Sequence, residues 1–308
     1  MSRQISELFK EYLFSKRLAA NSIAIKNIAL ANFIDLCGDS ILPIENESCF
    51  TKYAAILRQK NSPRTAETYK RNLSPFFSWL VSKKYLVGNP LSDLRINKAP
   101  QEVAVSFMPK ELERVFTLAD TRWRVILILG LCGLRRAEIL NLCRNDFDLD
   151  AGVVFLTSKV NSVDTWEWEN KNCLQTPIRL PPIISAASLQ ICPQDEILKL
   201  LNSVPLTQPY VCIKPRHYAL MQQKKSEETI SFEDCICPWR SFTRDFGLLL
   251  KKANVPHKRF EDLRVTYAAN LAETQVKAKS AQHLLRHRKT LTTYAYFQRC
   301  KKCNISTL

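Results

Sequence analysis

A chain of 308 residues, 46% hydrophobic and 24% charged, has the length of two domains and enough apolar material for a core in each, which excludes a disordered chain. Its formal net charge of +16 and pI of about 9.4 point to a polyanionic partner, with nucleic acid the first candidate. The first residues lack the apolar segment of a secretory signal, and the longest apolar run, Val125 to Gly133, is far short of the roughly 20 residues of a membrane span, so a soluble, cytoplasmic protein without membrane contact is expected.

Eleven cysteines raise the question of a metal. Cys37, Cys132 and Cys212 stand singly among apolar residues and read as small core side chains. Cys235 and Cys237 are spaced wrongly for a zinc knuckle, and Cys300 and Cys303 lie near the end of the sequence, so no metal ligands and no cofactor are expected.

Residues 3 to 90 read as helical almost throughout. Leu8, Phe9, Tyr12 and Leu13 mark one apolar face, and Ile23 to Phe33 supply a second between Ser22 and Leu36. A third run covers Cys49 to Gln59. Ser62-Pro63 then opens a fourth helix, with a serine cap and proline at the first helical position. Tyr69, Leu73, Phe76, Phe77, Trp79 and Leu80 lie along it, and Pro75 is expected to kink it or split it in two. Residues 91–105 show no clear apolar periodicity and read as a linker.

The second domain begins near Ser106. Helices are expected from Met108-Pro109, over Thr121 to Leu131 with a break at Gly133, and again from about Arg136. Val153 to Thr157, Thr165 to Trp168 and Ile178 to Leu180 read as three short strands of a small antiparallel sheet. Helices follow over Asp195 to Ser203 and Trp239 to Ala253, with residues 214–232 as a polar surface loop between them. The last helices are expected from Leu263, near Ser280 to His287, and over Leu291 to Gln298.

Chemistry-bearing residues are spread through this second half. Arg135 follows the Gly133 break and has Glu138 one helical turn later, close enough to hold it in place. Arg264 ends Glu261-Asp262-Leu263-Arg264, and His287 follows Leu284-Leu285-Arg286. Tyr294 and Tyr296 are two apart on one helix and so point to nearly opposite sides. Fixed arginines stabilise the extra negative charge of a phosphoryl-transfer transition state, and a phenol is a nucleophile where cations or a base assist it.

This order of residues resembles the tyrosine recombinase, or phage integrase, family. The phrases Thr65 to Leu73, Phe77 to Leu80 and Asn89-Pro90 look like its core-binding domain, and Gly133-Leu134-Arg135 with Glu138 looks like its first arginine box. The resemblance implies a mainly α (α+β) protein. A helical SAM-like core-binding, DNA-clamping domain would occupy 1–90, a linker 91–105, and a mixed α/β catalytic domain with a small antiparallel sheet 106–308. It implies Arg135, Lys171, Glu261, Arg264, His287 and Tyr296 as the catalytic set, and the family's histidine-to-tyrosine spacing selects Tyr296 over Tyr294. Lys171 would protonate the leaving oxygen from a hairpin returning through Ile178, and Lys159 is its competitor.

Two departures stand out. Glu261 occupies the family's histidine position, and His257 lies four residues before it. Arg286 replaces a glycine, adding a cation toward DNA and altering the packing of that turn. The resemblance implies a site-specific DNA recombinase or integrase forming a 3′-phosphotyrosine link. It would act as a homotetramer on double-stranded DNA, without metal or nucleotide, associated with the nucleoid. The alternative is a catalytically impaired DNA-binding relative, for which Glu261 and Arg286 speak.

Overall fold

The computed structural model describes residues 3–16, 18, 20–40, 52–53, 55–57, 59, 62–96, 105–170, 177–227 and 232–304, without the side chains of 20, 21, 232–237, 239 and 299–304. The chain forms two compact units, Met1–Glu102 and Val103–Leu308. Among the described residues no helix is long and apolar enough to cross a membrane.

The first unit is helical: Ile5–Phe14, Ala20–Cys37, the described residues between 52 and 59, and Pro63–Ser82. Ser62 caps the last of these by accepting from the Thr65 amide at 3.2 Å, with Pro63 in the first turn. Its apolar face, Leu73, Phe76, Phe77 and Leu80, is fully buried. Phe76 meets Phe9 edge-on at 4.9 Å and Phe77 meets Phe33 at 5.3 Å. This packing corrects the expected split at Pro75, because the helix runs unbroken through it. A mid-helix proline costs about 3 kcal/mol, and the four side chains flanking it, each stabilising by about 1.5–3 kcal/mol when buried, outweigh that cost. Leu91 and Leu94 are buried in this same core, so residues 91–96 pack with the helical unit. Residues 97–104 of the expected linker lie outside those described.

The second unit is built around Thr121–Leu131. Val125 to Leu129 are all fully buried, as expected of a helix that is apolar on every side. Asp120 caps it, accepting from the Trp123 amide at 2.7 Å. Glu261–Glu273 packs against it at Gly130, where a β-carbon would lie 2.8 Å from Leu263 Cδ1. Pro109–Leu118, Pro193–Ser203 and Phe232–Lys252 complete this layer.

A three-stranded antiparallel sheet has the order β1 (Phe147–Asp148), β2 (Val153–Val154), β3 (Ile178–Arg179), with Phe147 opposite Val154 and Val153 opposite Arg179. The strand expected at Thr165 to Trp168 does not form, and only Trp168 pairs there, with Lys159. Trp166 is drawn elsewhere: its ring stacks on Tyr210 at 3.9 Å and its Nε1 donates to Asn141 at 3.0 Å. A hairpin of β4 (Ile184–Ala186) and β5 (Leu189–Ile191) was not expected. The loop expected over 214–232 is also corrected. Pro215–Ser226 is a helix with Tyr218 and Met221 buried, and residues 228–231 lie outside those described. The helices Ala278–Leu284 and Thr290–Asn304 close the unit.

Candidate active site

Two tight turns carry most of the predicted site. The first ends Thr121–Leu131. Gly133 takes φ +78°, and its neighbour Leu134 donates back to Leu129 O at 3.0 Å. A β-carbon at Gly133 would lie 2.6 Å from the Tyr267 ring, so both its backbone and its surroundings require glycine. Arg135 then sits as the cap of the short helix Arg136–Leu140. Glu138 is buried and binds Arg135 twice: Oε2 accepts from its amide at 2.7 Å and Oε1 from its guanidinium at 2.7 Å. The Arg135 guanidinium is left partly exposed.

The second turn ends Ala278–Leu284. Arg286 adopts φ +52°, the left-handed position usually given to glycine after a helix, and His287 donates back to Gln282 O at 3.0 Å. The backbone of this turn is therefore the left-handed one that glycine favours. The expected outward cation is corrected: the Arg286 side chain is turned into the protein. It is only 5% exposed and donates through one nitrogen to Gly133 O at 2.7 Å and to Glu138 Oε2 at 2.9 Å.

Arg264 lies between the two turns. Only 3% exposed, it donates to Gly133 O on one side and Leu285 O on the other. Arg135 in turn reaches Arg286 O at 3.4 Å. A guanidinium has five N–H donors, so these main-chain bonds leave others available to a ligand. Burial, then repulsion from Arg135 and Arg286, lowers the pKa of Arg264, which stays charged at neutral pH. Burial alone would raise the Glu138 carboxyl, but Arg286 and Arg135 hold it below its ordinary value. The site thus holds three guanidinium groups and one carboxylate, which is bonded to two of them, and it carries an excess of positive charge.

His287 is buried beside them. Burial, then Arg264, Arg135 and Arg286, pushes its imidazole down to about 4, so it is neutral at pH 7. Its Nδ1 lies 3.0 Å from Thr293 Oγ1. Its ring is 5.0 Å from that of Tyr296, which packs on Val265 and Ala269 of the Arg264 helix. Tyr294 is 51% exposed.

No protein-family model matches the chain. Among curated proteins it is 21% identical over 275 residues to the tyrosine recombinase XerC-like protein of Caldanaerobacter subterraneus subsp. tengcongensis, a match that covers 82% of this chain and 66% of that one. It is 24% identical over 305 residues to the tyrosine recombinase XerA of Thermococcus kodakarensis, covering 95% and 90%. Among solved structures it is similar to the Tn1549 transposon integrase in complex with a circular intermediate DNA (TM-score 0.70, 17% identity, 100% of both chains). It is also similar to a lambda integrase dimer bound to a COC′ core site (TM-score 0.69, 14% identity, 96% of this chain and 77% of that one). In sequence the chain is similar to tyrosine recombinases, and in fold to the integrases.

Of the six residues that this family resemblance singles out, Arg135, Arg264, His287 and Tyr296 lie in one connected cluster. Lys171 lies outside the described residues. The chain is described up to Asn170, which is buried and donates to Ser158 Oγ at 3.2 Å and Leu156 O at 3.3 Å. Lys159 is largely buried and bound to both oxygens of Asp146, at 2.8 and 2.7 Å. Glu261 is exposed at the start of its helix, one turn before Arg264, without an ion pair to a described residue. His257 is exposed. Sequence reasoning missed Thr293, fully buried against His287; its signal was the three-residue spacing to Tyr296, which puts both on one face.

Proposed function

We propose that the chain is a site-specific DNA recombinase or integrase that cleaves and rejoins strands through a 3′-phosphotyrosine link. The observation that carries this reading is the convergence of Arg135, Arg264, His287 and Tyr296 from sequence positions up to 161 residues apart (296 − 135). Tyr296 attacks the scissile phosphorus, the bond to the 5′-oxygen breaks, and the phosphate is left ester-linked to the phenol. Arg135 and Arg264 offer N–H donors to the non-bridging oxygens, where charge accumulates. A neutral His287 whose Nδ1 accepts from Thr293 carries its proton on Nε2, ready to donate to the same phosphate. Lys171 protonates the leaving 5′-oxygen, with Lys159 as its rival. Glu261 is a candidate acceptor for the Tyr296 proton. No metal or nucleotide is needed, because the energy of the broken ester is kept in the phosphotyrosine.

The net charge of +16 suits a duplex partner. The helical unit at 1–90 would serve as the core-binding clamp and 106–308 as the catalytic domain. By analogy with a lambda integrase tetramer bound to a Holliday junction, the working form is a homotetramer on DNA, and we place it in the cytoplasm at the nucleoid, where such DNA lies. An impaired, binding-only relative is the lesser reading, since the cluster of cations, imidazole and phenol is complete apart from the lysine.

A suicide substrate nicked beside the cleavage site tests this. A covalent protein–DNA adduct that resists denaturation is the expected result. Salt-sensitive binding without any adduct would overturn the enzymatic reading.

A further inference from the structure

Arg286 stands next to His287 but is turned into the protein, and its backbone is strained. A side chain with a β-carbon at φ +52° is disfavoured, and such strain persists only where the surroundings over-determine it. The surroundings here are two acceptors on the other turn, Gly133 O and Glu138 Oε2, 153 and 148 residues away in sequence. Arg135 returns the contact by donating to Arg286 O. Glu138 is consequently held from both sides, by Arg135 on Oε1 and by Arg286 on Oε2.

We infer that Arg286 is a positioning residue for strand transfer: by pairing with Glu138 and the Gly133 carbonyl it locks the turn carrying Arg135 to the turn carrying His287. This rests on the proposed recombinase reading and adds to it a residue that touches no substrate. Without Arg286, Glu138 keeps only Arg135, through its amide and its guanidinium, and the carboxylate that aims Arg135 loses its side-chain tie to the turn carrying His287. A buried carboxylate shared by two arginines, with charge-assisted bonds to each, is a stiff element; shared with one it is a hinge. The consequence falls on the reaction rather than on DNA affinity, since the Arg286 guanidinium is committed to Leu284 O, Gly133 O and Glu138 Oε2.

The test is single-turnover cleavage of the nicked suicide substrate by the full chain at saturating DNA, with DNA affinity and melting temperature measured beside it. Arg286→Gly permits the left-handed backbone and removes only the side chain. The expected result is a cleavage rate about 10- to 100-fold lower, the scale of a small misplacement of a catalytic group, with DNA affinity unchanged. Arg286→Lys, which keeps one nitrogen near both acceptors, should recover part of the rate. In a Glu138→Gln background the Arg286→Gly change should cause little further loss, because the pair it breaks is already weakened. Arg286→Gln replaces the glycine variant in each arm if that variant does not fold.

A merely structural role would lower the melting temperature and leave the rate at saturating DNA unchanged. That outcome, or an equal loss in both backgrounds, overturns the inference while the wild-type adduct still stands. A wild-type chain that forms no adduct overturns the functional reading and the inference with it.

Discussion

His287 Nδ1 and Thr293 Oγ1 lie 3.0 Å apart, and this contact sets the register of the last helix against the site. Thr293 and Tyr296 are three residues apart on one helical face, so fixing the first brings the second to the imidazole, 5.0 Å between ring centres. Tyr294 is carried outward by the same rotation. Tyr296→Phe is therefore expected to abolish the covalent adduct with DNA affinity near normal, whereas Tyr294→Phe keeps it. The reverse pattern in a denaturing gel would show that the register is wrong. Thr293→Val, which keeps the shape and deletes the hydroxyl, should slow cleavage without abolishing it.

The state of His287 gives a pH prediction. Its folded pKa of about 4 lies below the ordinary 6.5, so between these values the unfolded chain binds a proton that the folded chain refuses. The unfolded state then holds more protons, and stability falls as pH drops from about 6.5 toward 4. His217, also lowered by burial and then by Arg216 and Lys214, adds to the same trend. Melting temperatures of the free protein should therefore decline across this window, and less steeply in His287→Asn. Equal slopes for the two proteins would mean that His287 titrates normally.

Arg135 and Arg264 should separate in their effects. Arg135 is partly exposed, and without it Glu138 keeps Arg286. Arg135→Ala is expected to reduce cleavage about 100- to 1,000-fold, the scale of losing one donor to a developing oxyanion, with little change in stability. Arg264→Ala should match that loss and also lower the melting temperature, because the buried Leu285 carbonyl loses its donor at a cost of about 1–3 kcal/mol. Release of repulsion among the three arginines offsets part of this. Arg264→Ala with full thermal stability would contradict the main-chain contacts described.

How much of this was legible depended on whether a residue's surroundings are local. The buried helix Thr121–Leu131 and its break at Gly133 were readable because their signals lie within a dozen residues. The helix Pro215–Ser226 was not, since only Tyr218 and Met221 of its mostly polar sequence face inward. The β4–β5 hairpin turns at Ala187 with φ +54°, where the sequence offers no glycine to announce it. The inward direction of Arg286 was invisible for a third reason. A lone arginine is ordinarily solvated, and the carboxylate that captures it lies 148 residues earlier.

Binding to a duplex should be strongly salt-dependent. A chain of charge +16 that contacts several phosphates releases a counterion for most of them. The slope of log K against log salt is expected to be steeper than about −3, since each neutralised phosphate contributes about −0.9. A shallower slope from fluorescence anisotropy would argue against an enclosing clamp.

Glu261 yields the last prediction. It is exposed in the first turn of Glu261–Glu273, where the positive end of the helix favours a carboxylate, and it stands one turn before Arg264. An exposed charge is screened by water, so its repulsion of a phosphate held by Arg135 and Arg264 is small beside their attraction. Glu261→Gln is expected to cost about 0.3–1 kcal/mol of stability through loss of the helix-end interaction, and to leave the cleavage rate within an order of magnitude of wild type. If Glu261 accepts the Tyr296 proton, the same change slows cleavage. Glu261→His distinguishes these cases, because an imidazole restores a proton acceptor near neutral pH and the amide does not. Single-turnover rates for both variants from about pH 6 to 9, the range in which histidine and perturbed carboxylates titrate, make the comparison. A large gain in both variants would mean that the carboxylate opposes the bound phosphate and that the natural site is impaired, which is the outcome the binding-only reading requires.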